Sequence, residues 1–227
     1  MRKPRRPQPL LIRLTHWLNV PVLTIMAMSG LQIFGAYPYF GPRGATYDWL
    51  PFQNWMPPEW MRAGQWLAGA RHLHFALGWV LVVNAVVYLV YLGWTREFRR
   101  RLFWPPRDVK PALHQIAFYL RLRKDPPPVD LYNSLQRAAY TTAITLGVLV
   151  VLSGLVMYAP VQLQVLGWFF AGYDGARVVH FFALLGLAGF VITHVIMVAL
   201  HPKSFMEMVT GGHATPAVTE EKPHAAS

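Results

Sequence analysis

Four long apolar runs, separated by clusters of charged, proline and tryptophan residues, set the pattern of this 227-residue chain. They lie at about 14–35, 72–94, 137–159 and 178–200. Crossing a hydrocarbon core of about 30 Å takes roughly 20 helical residues, and each run reaches that length. The pattern predicts an all-α, integral membrane four-helix bundle occupying residues 1–211. The first run follows Arg2, Lys3, Arg5 and Arg6, as the core of a signal peptide would. Its apolar part is too long for that, and Gly35-Ala36-Tyr37-Pro38 makes a poor cleavage site, so it is expected to remain as an anchor.

The segments between the runs set orientation. Lys and Arg crowd the N-terminus up to Arg13, the stretch from Arg96 to Arg137, and the tail with Lys203 and Lys222. Only Arg43, Arg62, Arg71 and Arg177 fall on the opposite side. The positive-inside rule then puts both termini and the middle loop in the cytoplasm. The first outer loop, about 36–71, holds Trp49, Trp55, Trp60 and Trp66. These suit an interfacial aromatic belt, and also a docking surface for a partner. Asp125-Pro126-Pro127-Pro128 reads as a stiff, non-helical break. Residues 212–227 are small, polar and proline-containing, and are expected to be disordered.

Composition narrows the chemistry. The chain is 54% hydrophobic and 14% charged, against about 25% charged in a typical soluble domain. Its net charge of +11 could suit nucleic acid or an anionic membrane surface. The basic residues lie between membrane runs, so lipid is the expected partner and nucleic acid is not. There is no cysteine. Disulfides, Cys-ligated iron–sulfur clusters and covalently attached c-type haem are therefore excluded. Histidine remains as the strongest ligand type.

Four histidines fall within the runs: His16, His74, His180 and His194. Ionisable side chains inside membrane helices are functional candidates. His180 and His194 are fourteen residues apart. That is close to four helical turns, so they share a face and lie about 21 Å apart along the axis. His16 opens the first run at the cytoplasmic side, and His74 opens the second at the outer side. Two depth-matched pairs result, His74 with His180 and His16 with His194. Imidazole pairs of this kind can ligate haem iron without any cysteine, which predicts two b-type haems stacked across the bilayer.

Arg13, Arg71 and Arg177 each stand three residues before one of these histidines, in a repeated Arg-x-x-His spacing. Positions i and i+3 share a helix face, so an arginine one turn nearer the surface could bind a haem propionate in a bidentate fashion. The same arginines could equally be ordinary helix flanks. His72 competes with His74, but the two point about 200° apart on a helix. His74 is preferred because Gly78, one turn later, would leave room for a ring. Gly30, Gly154, Gly186 and Gly189 could do likewise, or could serve helix packing.

Arg13-Leu14-Thr15-His16-Trp17, His74-Phe75-Ala76-Leu77-Gly78, and Arg177-Val178-Val179-His180 followed by His194 resemble the bacterial cytochrome b561 and Ni,Fe-hydrogenase-type cytochrome b family. That family includes formate dehydrogenase gamma subunits, and the resemblance covers about residues 10–211. It implies haem ligands from helices one, two and four, a location in the bacterial inner membrane, and a role as the electron-transfer subunit of an oxidoreductase complex. It also implies a quinone site near the inner haem. In formate dehydrogenase gamma subunits an Asn-x-Gly-Gln stretch contributes to that site. Here the run is Asn133-Ser134-Leu135-Gln136, in which Asn133 matches and Leu135 departs from the glycine. Asn133 suits a helix N-cap equally well. The stretch from Tyr132 to Gly212 looks more like the cytochrome b subunits that accompany molybdenum-containing oxidoreductases. Two rival readings are a stand-alone quinone-linked oxidoreductase acting on a small oxidant or reductant, and a histidine-lined metal-ion transporter.

Overall fold

A computed structural model describes residues 8–42, 45–64, 66–125, 133–200 and 202–212. The described residues form helices without strands: α1 Leu10–Ala36, α2 Leu67–Trp94, α3 Phe98–Arg101, α4 Pro105–Tyr119, α5 Ser134–Tyr158, α6 Gln164–Phe169, α7 Gly172–Leu200 and α8 Pro202–Thr210. Four of them, α1, α2, α5 and α7, are long and apolar enough to cross a membrane. They start earlier than the apolar runs, because a helix continues into the polar surface layer where hydropathy falls. Arg71 and Arg177 thus lie inside α2 and α7, not in flanking loops. The start of α5 is fixed chemically. The Asn133 side chain accepts from Gln136 N–H at 2.7 Å, and the Gln136 side chain accepts from Asn133 N–H at 3.0 Å, a reciprocal capping box.

The spanning helices form two tight pairs, α1 with α2 and α5 with α7, and backbone approach between the pairs is sparse. Within the first pair, Asn84 donates to the Thr15 carbonyl at 2.9 Å and to Asn19 Oδ1 at 2.7 Å. In the second, a Cβ at Gly186 would meet Leu146 at 3.2 Å, so this glycine serves close helix contact. The outward faces carry exposed Val83, Val86, Ile192 and Val195, as a lipid-facing surface requires.

The two ends of the bundle differ. At one, the loop after α1 folds back, and Phe34, Phe40, Leu50 and Phe181 bury one another beneath Phe52 and Trp55. Ala63 N–H reaches the Met28 carbonyl at 3.1 Å, drawing the loop down beside α1. Trp55 is thus part of this packing, whereas Trp49, Trp60 and Trp66 stay exposed. At the other end the first and last described segments meet, joined by Gln8 N–H to the Gly211 carbonyl at 2.7 Å. There α4 packs on α5 through Asp108, which is fully buried and pairs with Arg107 at 2.7 Å and Arg137 at 2.9 Å. These are called the loop end and the terminal end below. The expected break at Pro126–Pro128 and the tail beyond Gly212 lie outside the described residues.

Candidate cofactor site

The slot between the helix pairs is where the histidines meet. His74 on α2 and His180 on α7 face each other with ring centres 6.2 Å apart and planes at 64°. His16 on α1 and His194 on α7 do the same at 6.0 Å and 73°. Each pair therefore takes one ring from each half of the bundle. A metal held in line between two imidazoles, with bonds of about 2 Å, would hold ring centres roughly 6 Å apart. Both spacings match that arrangement. Among the described residues no three His, Asp or Glu side chains gather as a metal-ion cage.

Hydrogen bonds orient the first pair. His74 Nδ1 lies 3.0 Å from the Met26 carbonyl and 3.1 Å from Ser29 Oγ. A carbonyl only accepts, so Nδ1 carries the proton and Nε2 keeps its lone pair. His180 Nδ1 lies 3.2 Å from Ser153 Oγ, whose own proton goes to the Leu149 and Val150 carbonyls. The same tautomer follows. Neutral imidazoles with a held Nδ1–H and a free Nε2 are metal ligands ready for use.

Space accompanies the ligands. A cavity of about 900 Å³ is lined by His74 and His180 and includes Gly30, Gly78 and Gly154 in its walls. A Cβ at Gly30 would stand 3.3 Å from His74 Cε1, and one at Gly154 would stand 3.2 Å from His180 Cε1. These two glycines make the histidine rotamers possible. Gly78 does not have that role: a Cβ there would meet only Met26, at 3.7 Å. A planar, largely apolar prosthetic group fits the donor set, the glycine cradle and the apolar walls.

The second pair is packed differently. Phe190 stacks on His194 at 5.7 Å and 14°, and Trp17 stands edge-on to His16 at 5.5 Å. Aromatic faces hold these rings where hydrogen bonds hold the others.

The remaining candidate residues separate into groups. Arg71 and Arg177 line the cavity mouth at the loop end, beside Tyr37 and Tyr173. Arg177 donates to the Tyr37 carbonyl and lies over the Tyr37 ring at 5.0 Å, while Arg71 lies over Phe75 at 5.7 Å. Arg13 is drawn elsewhere: it donates to the carbonyls of Met208 and Val209 and so caps the C-terminus of α8. Trp17 Nε1 donates to the same Met208 carbonyl at 3.1 Å. His72 is exposed on the far side of α2 from His180. Asn133 is engaged in the α5 cap. Ser29, Ser153, Met26 and Phe190 escape a sequence reading, because nothing in an apolar run marks which residues face the ligand rings.

Four spanning helices in two pairs, with two imidazole pairs facing across an apolar slot, define a membrane protein whose interior suits a flat metal-bearing cofactor. The chain belongs to the prokaryotic cytochrome b561 family, whose model matches residues 8–211. It is 36% identical over 200 residues to the "Putative protein-methionine-sulfoxide reductase subunit YedZ1" of Azospira oryzae, covering 88% of this chain and 93% of that protein. It is also 25% identical over 198 residues to the "Probable Ni/Fe-hydrogenase B-type cytochrome subunit" of Bradyrhizobium diazoefficiens, covering 81% of this chain and 73% of that protein. A protein of the same name from Rhodobacter capsulatus is 24% identical over 225 residues, covering 90% and 79%. The chain is thus a b-type membrane cytochrome of electron transport, with multi-pass helices in the bacterial inner membrane.

Proposed function

We propose that this cytochrome carries two b haems and moves electrons between the quinone pool and a partner oxidoreductase docked at the loop end. The observation that carries the reading is the pair of cross-slot imidazole couples, each with its rings about as far apart as one metal would hold them. His74 and His180 would hold one haem and His16 and His194 the other. When bound, each haem supplies one-electron iron chemistry.

The chain's own residues do the rest. The four imidazoles bind from opposite halves, so cofactor binding ties the two helix pairs together. Gly30 and Gly154 leave room for the rings of His180's pair. Arg71 and Arg177, at the cavity mouth, would take propionates through charge-assisted contacts. Arg13 would have to release α8 before it could do the same at the terminal end. The apolar walls exclude water and lower the local dielectric, which strengthens every charge interaction at the cavity mouth.

The positive-inside rule supports a cytoplasmic terminal end and a periplasmic loop end. The names of the relatives support an oxidoreductase partner, a sulfoxide reductase or a hydrogenase in their cases. A molybdenum-containing partner is the subtype favoured here. Quinone exchange is assigned to the terminal end, near His16 and His194. Asn133 keeps its amide N–H groups available for a quinone oxygen, because its cap uses only the carbonyl oxygen.

Isolation of the tagged cytochrome from native membranes tests this reading. It should bring down a redox protein, and a quinol analogue added to the complex should reduce the b haems. A cytochrome that comes out alone, and whose haems are oxidised directly by a small molecule such as superoxide, would replace it with the stand-alone oxidoreductase. A folded preparation without haem that binds metal ions would replace it with the transporter.

A further inference from the structure

Ser29 and Ser153 are fully buried, and each is followed directly by a cradle glycine, Gly30 or Gly154. They stand on different halves of the bundle, yet their surroundings repeat closely. Each hydroxyl donates within its own helix: Ser29 to the Met26 carbonyl at 3.1 Å, and Ser153 to the Leu149 carbonyl at 2.5 Å and the Val150 carbonyl at 3.2 Å. With its proton so committed, each oxygen can only accept from the histidine opposite, at 3.2 Å for His180 and at 3.1 Å for His74, whose Nδ1–H is shared with the Met26 carbonyl at 3.0 Å. The next residue lacks a Cβ where one would press on Cε1 of the same ring. A Ser-Gly step thus grips one edge of each imidazole and clears space for the other. Among the described residues, neither His16 nor His194 has a hydrogen-bonding partner of this kind.

We infer that Ser29 and Ser153 are positioning residues that hold His74 and His180 as Nδ1–H tautomers and tune the haem at the loop end. The inference rests on the proposal that these two histidines ligate haem. A held Nδ1–H makes the imidazole a more basic ligand. A more basic ligand favours the oxidised iron, so the serines lower the potential of this haem and leave the other alone. The two contributions come from opposite halves of the bundle and act in the same direction.

Purified full-length Ser29→Ala, Ser153→Ala and the double variant test this by redox titration with low-spin EPR. The component to watch is the one that His180→Ala abolishes. Both single variants should keep both haems and move that component to higher potential, the double variant should move it further, and the second component should stay fixed. The EPR signature of the same component should shift as its ring planes relax. Both midpoints unmoved at full haem content, or movement confined to the other component, would overturn the inference. If the Ala variants lose haem, Ser153→Thr retains a hydroxyl and should restore both content and potential; loss there as well counts against the inference. Failure of the underlying reading looks different: His180→Ala would then leave both components in place.

Discussion

At the scale of single residues, the site depends on atoms that are missing as much as on those present. Gly154→Val would place branched carbons where a Cβ alone already stands 3.2 Å from His180. That replacement should displace the ring and abolish or shift one haem component, read as a lost absorbance step in a redox titration. Gly189→Val, where a Cβ meets nothing within 4 Å, should leave both components intact. The arginines divide in the same way. Arg71→Ala and Arg177→Ala should weaken retention of the loop-end haem, measured as haem lost during detergent washing. Arg13→Ala should leave haem content near normal and loosen α8, measured as faster proteolysis after Pro202. The four histidines and their pairing were legible in the sequence, because depth and face follow from helical rise. The choice of His74 over His72 rested on Gly78. The residue that clears space for His74 is Gly30, on another helix, and contacts between helices leave no trace in local spacing.

At the scale of elements, the terminal end holds a buried ionic knot that charge counting hides. Asp108 sits in a strongly basic stretch, so the sequence suggests a solvated loop. In the fold it joins α4 to α5, accepting from Trp104 N–H at 2.7 Å, from Arg107 and from Ser134 Oγ at 3.3 Å, while pairing with Arg137. Burial alone would raise the Asp108 carboxyl. The hydrogen bonds from Arg107 and Trp104 and the charges of Arg137 and Arg107 outweigh it, and hold the group below the usual carboxylate range. An unfolded aspartate titrates near about 3.9. The lowered folded value means that the stabilisation is full above that pH and is lost as pH falls through the folded value. The Tm of the detergent-solubilised protein should therefore fall on acidification through this window. Asp108→Asn should flatten that dependence, and should destabilise the protein near neutral pH by about 3 kcal/mol, because it removes the carboxylate that the buried Arg137 pairs with. A pH profile identical to wild type would remove Asp108 from this role. Helices α3, α4, α6 and α8 went unanticipated because each is short or polar, and only the membrane spans carry a strong hydropathy signal.

At the scale of the whole molecule, two helix pairs stand apart and share a cofactor slot. The four spans were readable from hydropathy, and the meeting of Gln8 with Gly211 at one end of the bundle follows from an even number of crossings. The grouping of α1 with α2 and of α5 with α7 was not readable, since lipid-facing and slot-facing residues are equally apolar. The proposed orientation in the membrane rests on the asymmetry of Lys and Arg. A reporter fused after Ser227 should behave as cytoplasmic, and one inserted near Trp55 as periplasmic. The reverse result would exchange the inner and outer haems without altering the histidine pairs. Because each pair draws on both halves, losing one ring should empty one layer and spare the other. The most direct measurement is a pyridine haemochrome assay on monodisperse full-length protein and its four His→Ala variants. The account predicts two b haems per chain in the wild type and one in each variant. It further predicts that His74→Ala and His180→Ala keep one and the same redox component, and that His16→Ala and His194→Ala keep the other. One haem or none in well-folded wild-type protein, or variants that do not group in these pairs, would contradict it.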